Sequence, residues 1–362
     1  MKIDFIISSL GGGGAERVLT LMVNNLAKNR ENRITVITLF EGRKEYELDS
    51  NIKRVKLKQT KYIPSHTFRS IINLSRHYKN KSNRPDVIIS FVTLTNLITI
   101  IVAKLFSIKI IAQEHNSHLR YMQGRKHITN FTKKYVYKKA DVVTVLTSFD
   151  IEYYKKYGVN VYVMPNPCSF KAIKTNSNKR EKVILAAGHL NRYHHKGFDN
   201  LINLMAPVFK AHPDWQLKIA GAGDEGINYL RKLAIENSIE DKIIFTGFID
   251  NISEVMYQSS IFILSSRFEG LPMVLLEAMS QGMTCISFNC KTGPSDIIED
   301  NVNGLLIENQ NMSQMQNALI NLLSNEKLRK RLANEGIKSL DKYHILAITE
   351  RYNLLINKIV NS

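Results

Sequence analysis

The sequence predicts an α/β protein built from two doubly wound halves. Short β-branched runs alternate with helical patterns over the first 164 residues, a polar stretch punctuated by prolines follows, and the same alternation then begins again. In the first half the strand runs are "KIDFIIS", "RITVITLF", "DVIISFV", "IKIIAQEH", "ADVVTVLT" and "VNVYVMP". They are mostly apolar on both faces, as central strands of a parallel sheet are. Between them "AERVLTLMVNNLAKN", "SFDIEYYKKYG" and two basic stretches supply helices, with "SFD" as a helix cap. Residues 165–182, "PNPCSFKAIKTNSNKREK", hold no sustained period and read as a linker. The second half offers strands at "KVILAAGHL", "QLKIAGAG", "KIIFTGFI", "IFILSS", "TCISFN" and "GLLIE", with amphipathic patterns between and after them. Ile345, Ile348, Tyr352, Leu355 and Ile359 follow helical spacing, so the chain ends in an amphipathic helix with a face to dock, assigned to the first domain. The expected organisation is a domain over 1–168, a linker over 169–182, a domain over 183–343 and a terminal helix over 344–362, with a cleft between the halves at the carboxyl ends of both sheets.

Composition bounds the rest. The 362 residues, 44% apolar and 23% charged, suffice for two globular domains with cores of their own. Cys168, Cys285 and Cys290 show no metal-binding spacing, and "MKIDFIIS" lacks the pattern of a secretory signal, so the expectation is a cytosolic protein. The most apolar stretch, Thr95 to Ala112, is broken by Lys104 and Lys109 and reads as a buried helix followed by a strand. The net charge is +18, and residues 1–175 carry 30 Lys and Arg against 12 Asp and Glu. Lys53 to Arg84 and Arg120 to Lys139 concentrate the excess, which suggests a large anionic partner, either a membrane surface or a nucleic acid.

The stretch "SSLGGGGAERVL" raises the possibility of a dinucleotide turn. Gly12 and Gly14 supply a G-x-G, but Arg17 stands at the third glycine position and no phosphate-loop Lys-Ser/Thr follows. A strand running into these glycines and then into a helix instead suits backbone N–H groups approaching a substrate, with Gly13 and Gly14 at the wall of a site.

The sharpest chemical feature is "SRFEGLPMVLLEAMSQG", residues 266–282. Glu269 falls in a strand-to-helix turn, Pro272 suits a first helical position, and Glu277 lies in the helix among Leu275, Leu276, Ala278 and Met279. A carboxylate in so apolar a helix needs a partner, and ligand hydroxyls would supply one.

This segment resembles the E-x7-E motif of retaining glycosyltransferases of family 4, which have the GT-B fold of two Rossmann-like domains. Further matches in order are "GGAERVL", Glu114-His115, "PNP" at 165–167, "AGAGDE" at 220–225, "TGFID" at 246–250 and "TGPSDIIEDNVNGLLIE" from Thr292. The resemblance implies that Glu269 contacts the donor sugar hydroxyls, Glu277 the nucleotide ribose, and that His115 sits near the sugar and diphosphate. In "GHLNRYHHKGFD" Lys196 matches the family's phosphate-binding lysine. His189 stands where an arginine is usual and the spacing to the lysine is one residue longer, so the role falls to either Arg192 or His189. His115, Lys196 and Glu269 are therefore the expected catalytic residues. The expected donor-binding set is Gly13, Gly14, Arg192, Lys196, Gly221, Gly223, Phe248, Glu269, Gly270, Leu271, Pro272, Val274 and Glu277. Fixed cations would stabilise the leaving diphosphate without a metal, and no cofactor is expected.

The implied reaction moves a sugar, N-acetylgalactosamine or galactose, from a UDP-sugar to a polyprenyl-diphosphate-linked saccharide, with retention and with a leaving phosphate oxygen taking the acceptor's proton. The expected location is cytoplasmic, peripheral on an anionic membrane surface, with no nucleic-acid partner. The sequence also admits two other readings: a UDP-sugar epimerase of the same fold, which needs no acceptor, and a nucleic-acid-binding module suggested by charge alone.

Overall fold

The computed structural model describes residues 1–11, 13–42, 45–57, 65–119, 125–176 and 179–361, and the chain forms two compact units. Residues 1–167 and 343–362 make one, and residues 168–342 make the other. Gly12 of the glycine run, and Lys58, Lys61, Tyr62, Arg120 and Tyr121 of the basic stretches, lie outside the described residues.

The first unit holds a parallel sheet of seven strands: β1 (Lys2–Ile7), β2 (Arg33–Thr38), β3 (Lys53–Lys56), β4 (Val87–Phe91), β5 (Lys109–Gln113), β6 (Val142–Val145) and β7 (Val161–Val163), in the order β3-β2-β1-β4-β5-β6-β7. Period two along β1 divides the core: Ile3, Phe5 and Ile7 join one cluster and Ile6 the other. Helix Gly14–Leu26 and the terminal helix Ile345–Val360 cover the first face, where Ile348, Tyr352, Leu355, Ile356 and Ile359 pack with Val18, Leu19, Met22 and Val23. Asn25 Nδ2 adds a 2.8 Å bond to Thr349 Oγ1. Helices His66–Lys79 and Thr93–Leu105 cover the second face. The apolar stretch from Thr95 is thus a buried helix followed by β5, and among the described residues no helix is long and apolar enough to cross a membrane.

The second unit holds six parallel strands: β8 (Glu181–Ala187), β9 (Gln216–Ala220), β10 (Ile243–Gly247), β11 (Ser259–Leu264), β12 (Thr284–Asn289) and β13 (Leu305–Glu308), in the order β10-β9-β8-β11-β12-β13. Helices Phe198–Ala211 and Met312–Ser324 pack against Ile184, Leu217, Ile219, Ile261 and Ile286. In each sheet strand order reverses direction next to the first strand, between β1 and β4 and between β8 and β11. At such a switch point neighbouring loops diverge and leave a crevice outside the carboxyl ends of the strands.

Four local readings are corrected. Lys53–Lys56, assigned to a basic helix, is the edge strand β3, with Lys53 and Lys56 exposed at its ends, a placement that discourages further pairing. Residues 168–182 belong to the second unit: Ile173 N–H donates to Ser280 O at 2.9 Å, and Arg180 donates to Ser259 O at 2.8 Å and to Gln281 O at 2.6 Å. Ser148–Asp150 is a 3-10 turn without a side-chain cap, and Asp150 instead accepts from Ser117 Oγ at 3.0 Å and His118 N at 2.7 Å. Pro272 is the N-cap, one residue before helix Met273–Ser280.

Candidate functional site

The sequence-predicted acids and cation of the second unit gather at its switch point. Lys196 follows β8 at the end of a short helix, and Glu269 follows β11 in the turn before Met273–Ser280. The Lys196 ammonium lies 2.8 Å from Glu269 Oε1, with side chains 16% and 10% exposed. Ser266 Oγ donates to the same oxygen at 2.6 Å. A half-buried pair of this kind keeps most of its Coulomb attraction while leaving an edge open to ligand.

Backbone packing fixes the pair. Gly197 has φ +66°, and a Cβ there would lie 2.0 Å from Ser265 O, so only glycine lets the post-β8 loop lie against β11's end. Ser265 Oγ donates to Lys196 O at 2.9 Å, and Arg267 N–H donates to His195 O at 3.0 Å. Arg267 Nη1 also bonds Asp199 Oδ1 at 2.7 Å, joining the turn to the start of the next helix. This clamp was missed in the sequence, although both its residues stand inside quoted segments. On the other side of the turn, Thr292 Oγ1 donates to Glu269 O, and a Cβ on Gly293, φ +94°, would meet Gly270 O at 2.1 Å.

Glu277 is 7% exposed on the helix that starts beyond that turn, flanked by buried Leu276 and Ala278. Leu271 and Pro272 are buried, and Gly270 and Val274 are half-buried around the same helix start. Arg192 and His189 are both exposed, at the end of and just before a 3-10 turn, so position alone does not favour one of them. Gly221 and Gly223 have a packing reason of their own: φ values of +147° and +135° and Cβ positions 1.8 Å from Gly188 O and 2.5 Å from Asn191 N. They let the loop after β9 lie on the loop after β8. Phe248, beyond β10, is 73% exposed.

In the first unit Gly13 is the N-cap of helix Gly14–Leu26, and neither glycine needs a left-handed backbone. A Cβ on Gly13 would meet Glu16 Oε2 at 2.0 Å, so the space that glycine leaves is filled by an acidic side chain. Burial raises the Glu16 pKa. The helix start expected to receive an anion therefore carries a carboxylate, which a phosphate would have to displace.

His115 follows β5 and stacks on Phe91, ring centroids 5.0 Å apart. Burial pushes its pKa down to about 4, so the imidazole is neutral at pH 7. Beside it lies a buried polar cluster that the sequence did not reveal. Glu114 accepts from Thr93 Oγ1 at 2.7 Å and from the Tyr137 hydroxyl, and its Oε2 lies 3.9 Å from Lys133 Nζ. Burial raises the Glu114 pKa, opposed by the Lys133 charge. Lys133 is 2% exposed and so does not belong to the basic surface where sequence placed it. Thr129, Thr132, Val136 and Tyr137 are buried with it, a helical spacing that carried the signal.

A cavity of about 470 Å³ opens in this unit between Leu39, Phe40, Val92, Leu94 and Ile98, with Arg125 at its rim. His66 also lines it, with a pKa lowered by burial and then by the charges of Arg69 and Arg125. Val92, a β-branched residue at φ +74°, holds a strained backbone at its wall. Phe68, Phe131 and Tyr135 are 60%, 54% and 56% exposed on the same basic segments.

Comparison with known proteins agrees with the two-unit fold. Residues 12–169 match Glycosyltransferase Family 4, and residues 169–339 match Glycosyl transferases group 1. The chain is 29% identical over 372 residues, all of both proteins, to the Campylobacter jejuni GalNAc-alpha-(1->4)-GalNAc-alpha-(1->3)-diNAcBac-PP-undecaprenol alpha-1,4-N-acetyl-D-galactosaminyltransferase. Its fold is similar to that of the lipopolysaccharide outer core galactosyltransferase WaaB, with TM-score 0.76, 23% identity and 99% of each chain covered. It is similar also to Anabaena HepE in complex with UDP, with TM-score 0.77, 14% identity and 99% and 100% of the two chains covered. With family matches that together run from residue 12 to residue 339 over two parallel-sheet units of GT-B type, the chain belongs to the glycosyltransferases.

Proposed function

We propose that this glycosyltransferase moves a sugar, with N-acetylgalactosamine or galactose preferred, from a UDP-sugar to a polyprenyl-diphosphate-linked saccharide, with retention of configuration. The observation that carries the reading is the Lys196–Glu269 pair at the β8/β11 switch point, with buried Glu277 on the helix that follows. A diphosphate draws on the Lys196 cation, and Glu269 and Glu277 offer acceptors to sugar and ribose hydroxyls. Charge developing on the leaving diphosphate is met by Lys196 and by Arg192, which leaves a phosphate oxygen to take the acceptor's proton.

The UDP donor is supported by the UDP complex of HepE, and the lipid-linked acceptor by the name of the Campylobacter relative. On the acceptor side, the cavity with apolar walls and the Arg125 rim suits an apolar chain headed by phosphates. The basic first half and the exposed Phe68, Phe131 and Tyr135 suit peripheral binding to an anionic inner membrane face.

A donor screen with mass-spectrometric readout on a polyprenyl-diphosphate-linked sugar tests this. The expected result is a mass gain of one or more N-acetylhexosamine or hexose units that needs both a UDP-sugar and the lipid-linked acceptor. Conversion of one UDP-sugar to another without acceptor would show an epimerase instead.

A further inference from the structure

His115 is held by more than its own strand. Its Nε2 lies 3.1 Å from Gln113 Oε1, and an amide oxygen can only accept, so Nε2 carries the imidazole proton. The Gln113 amide nitrogen donates to the hydroxyl of Tyr352, 239 residues further on in the terminal helix, and that hydroxyl favours this orientation when its own proton is given to the Thr144 side chain. Tyr352 is 3% exposed and its hydroxyl also bonds the Thr144 side chain, so water does not compete for it. Reversing the amide would set its N–H group against Nε2, which would then have to accept and carry the imidazole proton to Nδ1. In the observed orientation the other ring nitrogen, Nδ1, keeps a bare lone pair, and it is shielded from solvent with no hydrogen-bond partner among the described residues. Leaving such a buried acceptor unmatched is unfavourable. His115 as a residue is half-buried, and its unmatched Nδ1 leaves a bound ligand, not bulk water, as the partner to be found.

We propose that Tyr352 is a positioning residue that locks His115, through Gln113, in the Nε2–H tautomer, so that His115 presents a hydrogen-bond acceptor at Nδ1. Such a group suits a sugar hydroxyl or acetamido N–H and repels a phosphate oxygen, so within the sugar-transfer reading His115 serves the sugar and not the diphosphate. The terminal helix thereby acts on the site through a hydrogen bond as well as through its apolar face.

Nitrogen-15 NMR of histidine-labelled full-length protein reads the tautomer without any substrate. The wild type at pH 7 is expected to show His115 protonated at Nε2. Tyr352→Phe should leave circular dichroism unchanged and convert His115 to a mixture containing the Nδ1–H form. Adding Gln113→Glu to that variant should restore Nε2–H, because a carboxylate can only accept. Transfer by Tyr352→Phe should fall about tenfold in kcat with little change in donor KM, the effect of one weakened hydrogen bond. An Nδ1–H tautomer in the wild type, or a tautomer that Tyr352→Phe leaves unmoved, overturns the proposal. If the tautomer shifts as expected while transfer is unaffected, the lock stands and the placement of His115 in the sugar site falls.

Discussion

Lys196 and Glu269 share one geometry, in which each neutralises the other at 2.8 Å and Ser266 adds a donor to the carboxylate. Neither is deeply buried, so the pair does not carry the desolvation penalty of a sealed ion pair and is free to exchange partners with a ligand. Lys196→Ala is expected to cut transfer by about 100-fold or more through loss of diphosphate stabilisation, with Lys196→Arg recovering part of it, as measured by initial rates at saturating donor. An unchanged kcat would remove Lys196 from the chemistry. The Glu114–Lys133 pair makes the opposite case, since both side chains are almost fully enclosed, at 1% and 2% exposure. Its composition was visible in the sequence, and the helical spacing of Thr129, Thr132, Val136 and Tyr137, not the Lys-Lys doublet itself, marks Lys133 as the lysine that turns inward.

At the scale of elements, the loops around the switch point are set by glycines of different kinds. Gly197 is required by a left-handed backbone and by contact with Ser265 O, whereas a Cβ on Gly14 would meet nothing within 4 Å. Gly197→Ala is therefore expected to destabilise the second unit by about 2 kcal/mol or more, and to lower activity further by displacing Lys196. Gly14→Ala, at the first position of a helix, should be neutral or stabilising by up to about 1 kcal/mol. Thermal melts of both variants check the contrast, and equal effects would contradict it. The alternation of strands and helices was legible because both faces of the central strands are apolar and few other patterns produce that. The edge strand β3 was not, since its Lys53 and Lys56 resemble a solvated helix and only pairing with β2 identifies it. Loop glycines were legible as glycines, but their purpose depended on which loop lay opposite. Tyr352 was legible as a core-facing helical residue, while its bond to Gln113 joins positions too distant for any spacing rule.

The whole molecule combines a basic first half with a polar group buried beneath its sheet. Asp4, on β1, accepts from the Tyr78 hydroxyl at 2.7 Å, and burial raises its pKa from 3.8 to about 6. The folded state thus binds this proton more tightly than the unfolded chain does. The resulting stabilisation is complete below about pH 4 and is lost as pH rises through about 6. Asp4→Asn, which keeps an acceptor for Tyr78, should raise the melting temperature of the unit that carries it at pH 7.5 and flatten its fall between pH 4 and 6. An unaltered pH profile would place the titration elsewhere.

In the proposed reaction the second unit binds the nucleotide through Glu277 and acts on the sugar through Glu269. Calorimetric titration of UDP into the wild type, Glu277→Ala and Glu269→Gln tests it most directly. Loss of a hydrogen bond to a charged group predicts a UDP affinity about 10- to 100-fold weaker for Glu277→Ala. Glu269→Gln should keep UDP affinity near that of the wild type while losing transfer. Wild-type UDP affinity in Glu277→Ala would contradict the account.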